Sequence, residues 1–193
     1  MGPTNSRPAE LALPVASLAA LRRSLAANVG ADGAAHALQD AGHAAGDAFF
    51  RALCRQPGAA GQMLSEETAP EVLREIGEAA FWRRFSNLFA SRGWGTFAHS
   101  AVHAGVGALQ SADWVESDSV AGAVRPSCFF STGLLANLLG QIAGQEIAVM
   151  EVECRSQGDG RCRFLFGGPG ALEELFHRIE SGQDIESSLS ALA

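Results

Sequence analysis

A chain of 193 residues fits one ordinary domain, large enough to bury about 70% of the surface that its unfolded form exposes. Hydrophobic residues make up 47% and charged residues 18%, a globular balance, and the many alanines among them favour closely spaced helices. A formal charge of −7 without a Lys/Arg stripe excludes phosphate-backbone binding, so no nucleic acid is expected as a direct partner. No apolar run approaches the roughly 18 to 20 residues of a membrane span, and the N-terminus lacks the apolar segment of a secretory signal, so a cytoplasmic location is expected.

Residues 1–13, with two prolines and no periodicity, read as a flexible tail. From Pro14, the spacing of Leu18, Leu21, Leu25 and Val29 predicts a helix that stops at Gly30. A second helix is expected over about 34–54, burying Leu38, Ala41, Ala45 and Phe49, with Gly42 and Gly46 leaving a groove on one side. Residues 56–62 read as a loop. Thr68 and Glu71 have the spacing of a capping box opening a helix over about 69–90, with Leu73, Ile76, Phe81, Phe85 and Leu88 on its apolar face. After Gly93-Trp94-Gly95 the period becomes two: Phe97 and His99 alternate with small residues, a half-buried strand whose hairpin partner is expected over 106–114. A polar stretch, 115–126, leads to a helix over about 127–143. Strands over about 146–154 and 161–166 flank the turn Gln157-Gly158-Asp159-Gly160, and a last amphipathic helix is expected over about 170–181. The class is α+β, a small antiparallel sheet packed by helices, with a helical N-terminal segment at 14–66 and the main domain at 67–193.

Three of the four cysteines, Cys128, Cys154 and Cys162, lie within 35 residues of one another. A hairpin brings Cys154 and Cys162 together, and the helix after Cys128 feeds back into its first strand. With a carboxylate, three thiolates make a closed tetrahedral set that suits structural zinc. Glu151 and Cys154 are three apart and point to opposite faces of a regular strand, so a bulge or a strand end is required between them; Glu153 is no easier a ligand. The competing readings are three unconnected buried thiols or a Cys154–Cys162 disulfide.

The segment Pro126-Ser-Cys-Phe-Phe-Ser-Thr-Gly-Leu-Leu-Ala-Asn-Leu-Leu-Gly-Gln, followed by Val149-Met-Glu-Val-Glu-Cys-Arg-Ser-Gln-Gly-Asp-Gly-Arg-Cys-Arg-Phe, resembles the signature of the 4-vinyl reductase domain family. With Gly93-Trp94-Gly95, the likeness covers roughly residues 70–168. The family includes the sensory domains of aromatic-hydrocarbon-responsive activators, stand-alone binding proteins and a protein linked to bacteriochlorophyll synthesis, and its fold is similar to that of vesicle transport-particle subunits. The resemblance implies structural zinc held by Cys128, Glu151, Cys154 and Cys162. It also implies a small apolar or aromatic ligand, a tetrapyrrole being one candidate, and a homodimer.

Aromatic residues cluster at Phe81, Trp82 and Phe85, at Trp94, Phe97 and His99, and at Phe129 and Phe130, which makes these eight the candidate ligand pocket. The alternative is that the rings simply fill the core. Gly105-Val-Gly107 lacks the third glycine of a dinucleotide fingerprint, and Gly167-Gly168-Pro169-Gly170 carries no P-loop lysine. No catalytic residues emerge, and an enzyme is the less favoured class. The sequence therefore points to a zinc-stabilised sensor or carrier of an apolar ligand. Its rivals are an accessory protein or reductase of bacteriochlorophyll biosynthesis and a dimeric scaffold.

Overall fold

The computed structural model describes residues 13–57, 63–117 and 122–192. The expected tail lies, apart from Leu13, outside the described residues, as do parts of the 56–62 loop and the 115–126 stretch. The first helix, α1 (Val15–Arg55), is interrupted at Gly30, whose φ of 80° and ψ of 167° are non-helical. This is the stop expected from the leucine spacing. It divides α1 into an arm, 15–29, and a longer segment that enters the core.

That segment packs on α4 (Phe129–Ala143) at very short range. A Cβ at Gly42 would stand 1.9 Å from the Phe130 carbonyl oxygen, and one at Gly133 would stand 2.0 Å from that of Gln39. Glycine at both positions lets the backbones touch, a close approach that outweighs the roughly 1 kcal/mol that helical glycine costs relative to alanine. The groove expected at Gly42 and Gly46 is thus present, and α4 occupies it.

The single helix expected over 69–90 is two, α2 (Ala69–Glu75) and α3 (Glu78–Ala90), because Gly77 between them has a φ of 85°. The expected capping box does not form either. Thr68 is already helical and caps nothing with its side chain; instead the Ser65 Oγ accepts from the Thr68 N–H at 3.2 Å, and Pro70 stands in the first turn.

Four antiparallel strands follow: β1 (Ala98–His103), β2 (Val106–Ser111), β3 (Ala148–Glu153) and β4 (Cys162–Gly167), ordered β1-β2-β4-β3. The second strand stops at Ser111, short of the expected Trp114, because Asp113 draws the chain aside. Its Oδ1 accepts from the Thr96 N–H at 2.9 Å and the Ser111 hydroxyl at 2.9 Å. The sheet is covered on both faces. Leu109 and Phe164, paired across β2 and β4, join the core formed with α1 to α4. Their neighbours Ala108 and Leu165 face a smaller core with Leu172 and Leu175 of α5 (Pro169–Glu180) and Leu189 of α6 (Ile185–Ser190). Helix α6 was not expected, although Asp184 is a conventional cap whose Oδ1 accepts from the Ser187 N–H at 2.9 Å. Among the described residues, no helix is long and apolar enough to cross a membrane.

Candidate metal centre and aromatic cluster

Strand β3 carries a bulge: Glu151 pairs with Phe164, and Glu153, two residues on, pairs with the adjacent Arg163. The extra residue cancels the strand alternation, so that Glu151 and Cys154 point to the same place despite their spacing of three. Beyond Cys154 the chain makes one 3-10 turn, Arg155–Gln157, and Gly158 follows with a φ of 100°. Asp159 locks this turn by accepting the Cys154 N–H on its Oδ2 at 2.8 Å. Cys162 opens β4, and Cys128 sits at the N-terminus of α4.

These elements bring one ligand atom each from Cys128, Glu151, Cys154 and Cys162 within 4.8 Å of one another, all from buried residues. The Cys128 Sγ lies 3.8 Å from the Cys154 Sγ and 3.9 Å from the Cys162 Sγ. Every cysteine is a free thiol, so the cross-strand disulfide is not formed. Glu151 accepts the Cys128 N–H on Oε2 at 2.8 Å, while its Oε1 is buried with no hydrogen-bond partner. A buried acceptor without a donor costs free energy unless something electropositive meets it. The arrangement can therefore hold a metal ion.

The electrostatics agree. Burial, and then the charge of Cys154, push the Glu151 carboxyl up to about 8. Burial likewise raises the Cys128 thiol well above its ordinary range. Cys154 is pulled far down by hydrogen bonds donated from Cys128 and Cys162. At Cys162 the pull of Cys128 downward is outweighed by the demand of Cys154 and by burial, and the thiol is pushed up to about 12. Four acidic groups this close cannot all ionise unless a cation shares their space.

Of the eight expected pocket residues, seven form one connected cluster of rings. Trp82 stacks on His99 with centroids 3.9 Å apart and meets Phe81 and Phe85 edge-on. Phe85 leads through Phe89 to Phe97, and Phe97 packs on Trp114 at 4.2 Å. Trp94 joins Trp114 to Phe130. Phe85 and Trp114 are essentially inaccessible, while Phe81, Trp82, Trp94, Phe97 and Phe130 are half-buried. Burial lowers the His99 pKa, against the pull of Glu78, whose Oε1 lies 3.2 Å from its Nδ1. Phe129 stands apart, with the Arg125 guanidinium 5.9 Å from its ring centre.

Sequence reasoning missed the residues that support this site. Glu116 is 2% exposed, and its carboxylate accepts the N–H groups of Phe130 and Ser131 at 3.0 and 2.8 Å, capping α4 from well upstream in the chain. Burial raises its pKa, opposed by the Ser131 hydroxyl and Arg22. Trp114 donates its Nε1–H to the Ser131 hydroxyl at 2.8 Å. Arg22, from the arm, donates to the Ser127 carbonyl at 2.8 Å, to its hydroxyl at 2.9 Å and to the Glu116 carbonyl. The Asp in the 157–160 turn could have suggested the Asp159 lock; no local pattern marks Glu116 or Arg22.

Residues 112–167, from the end of β2 to the end of β4, match the 4-vinyl reductase domain family. The resemblance carried by the motifs is borne out. All four residues of the candidate metal centre lie within that matched stretch, which begins later than the 70–168 expected from the motifs. Among solved structures, the fold is similar to the phenol-responsive sensory domain of the transcription activator PoxR, determined with phenol, at a TM-score of 0.62 and 19% identity. That likeness covers 91% of this chain and 84% of the other, so the fold shared with PoxR extends well beyond the matched family stretch to most of the helical N-terminal segment. A vinyl-4-reductase family protein from Methanocaldococcus jannaschii aligns at a TM-score of 0.39 and 18% identity, over 55% of this chain and 68% of that one. No curated protein matches the sequence.

Proposed function

We propose that this chain is a sensor or carrier domain for a small apolar or aromatic molecule, with zinc held by Cys128, Glu151, Cys154 and Cys162 fastening the β3–β4 hairpin to α4. One coincidence carries the reading: a match to the 4-vinyl reductase domain family and the fold of a phenol-responsive sensory domain occur together with a buried three-cysteine, one-glutamate cluster. The sulfur spacings fit a tetrahedral ion of the size of zinc. Tetrahedral ligands at the usual Zn–S distance of about 2.3 Å stand about 3.8 Å apart, against 3.8 and 3.9 Å here. Four protein ligands close the coordination shell and leave no position for a reacting water, so the ion acts on stability. The unpartnered Oε1 supplies the fourth donor.

The ligand site in this reading is the ring cluster. Phe81, Trp82, Phe85, Trp94, Phe97 and Phe130 supply apolar surface and His99 is the polar contact, whereas Phe129, which stands apart from these rings, is left out of the site. A guest enters by displacing the half-buried rings rather than the inaccessible Phe85. The exposed Leu21 and Val29 of the arm form the meeting surface of a homodimer. Native mass spectrometry of protein purified under reducing conditions tests the three parts together, with expected masses of a dimer, one zinc per chain and a retained or added aromatic guest such as phenol. Protein free of zinc that melts at the same temperature with and without chelator would refute the metal assignment.

A further inference from the structure

We infer that the cleft between α2 and α3, closed at one end by the C-terminal turn of α1, binds a small apolar monoanion, a carboxylate on a short body, with Arg84 as the receiving cation. The inference rests neither on the metal nor on the ring cluster, and it gives the chain a second ligand site. The cleft has a volume of about 560 Å³, within the size range of small-molecule sites. Its apolar wall is Leu64, with Val72 and Leu73 of α2 and Ile76 at the end of that helix, the last 39% exposed. Helix α3 contributes Arg83, Arg84 and Asn87, the amide one turn beyond the two guanidiniums.

Arg84 is a cation without a counter-ion. It is half-buried, and burial lowers its pKa, a sign of what it costs to hold the charge there. Its Nη2 donates to the Leu53 carbonyl at 2.8 Å and to the Gln56 carbonyl, which fixes the guanidinium at the end of α1 before any ligand arrives. Its Nε–H is buried with no acceptor, and among the described residues its Nη1 and the whole Arg83 guanidinium have none either. Among the described residues, no carboxylate side chain lines the cleft. The carbonyl end of α1 offsets about half an elementary charge, so what is missing is a monoanion, which the chain itself does not supply. The walls select the rest of the guest. A bare inorganic anion would leave Val72 and Ile76 facing water, and an uncharged apolar molecule would leave Arg84 unpaired. A carboxylate on a short aliphatic or aromatic body meets both demands.

Calorimetric titration of the full chain with hexanoate, hexanol and inorganic phosphate tests this, with Arg84 left in place because it holds the end of α1. Hexanoate should bind, and hexanol and phosphate should bind at least about tenfold more weakly. Arg83→Gln, at an exposed side chain, should weaken hexanoate about fivefold. Asn87→Glu, also at an exposed position, gives the two guanidiniums a carboxylate one turn away; it should abolish hexanoate binding while the melting temperature holds or rises. Hexanoate affinity that both substitutions leave unchanged overturns the inference. So does hexanol binding as tightly as hexanoate, and so does the absence of hexanoate binding. Phosphate that binds as tightly as hexanoate and is lost in Asn87→Glu also overturns it, since the apolar walls then select nothing.

Discussion

The β3–β4 hairpin and the α1 arm are secured in opposite ways. The hairpin is held by donors that converge on one buried point, and its bulge, its 3-10 turn and its Asp159 lock all serve that convergence. The arm lies beyond a helix break at Gly30, exposes Leu21 and Val29, and donates from Arg22 to Ser127 and Glu116. Yet the two are linked by a short path. Arg22 grips Ser127, the Ser127 hydroxyl lies 3.9 Å from the Cys154 Sγ, and Cys128 is the next residue. The contrast sets a buried centre beside a more exposed arm joined to it at Ser127, so that a local change at the junction should alter the arm without dismantling the core.

The largest effect should come from breaking the rigid side. Cys154→Ser should remove bound metal and lower the melting temperature by on the order of 10 °C, since losing a structural metal site is among the few single changes worth about 4 kcal/mol or more. Elemental analysis beside calorimetry checks it, and Cys54→Ser, at a buried thiol outside the cluster, should leave metal content intact. A smaller, local effect is expected at the arm. Arg22→Ala should speed amide exchange over residues 15–29 by about tenfold, the loss of charge-assisted hydrogen bonds worth about 1.5 kcal/mol, with the metal content the same as that of the parent. If the hairpin amides accelerate equally, the two regions are not separable.

The smallest effect belongs to His99, away from both. Burial lowers its pKa from 6.5, so between that value and the lowered one the unfolded chain binds more protons than the native protein. Its contribution is complete above about pH 6.5 and is lost as pH falls through the lowered value. His99→Phe keeps a ring on Trp82 and removes the proton site; its melting temperature should drop less between pH 7.5 and 5 than that of the parent, by a few degrees. Equal drops would mean that His99 does not report on the ring cluster.

Much of this molecule was legible in its sequence, for physical reasons that are local. Leucine spacing and Gly30 marked the break in α1, the period-two pattern marked β1, and the need to turn Glu151 and Cys154 toward one point implied a bulge or a strand end between them, of which the strand pairing shows the bulge. The division of the 69–90 helix at Gly77 was missed because an apolar face continues across a residue whose backbone does not. What tertiary structure alone decided lies far apart in the chain: Glu116 capping α4, Arg22 holding Ser127, Gly42 and Gly133 letting two helices touch, and Arg84 meeting the end of α1. Periodicity and spacing encode contacts within a few residues, whereas a buried carboxylate finds its donors, and a guanidinium its acceptors, only once the chain has folded back on itself.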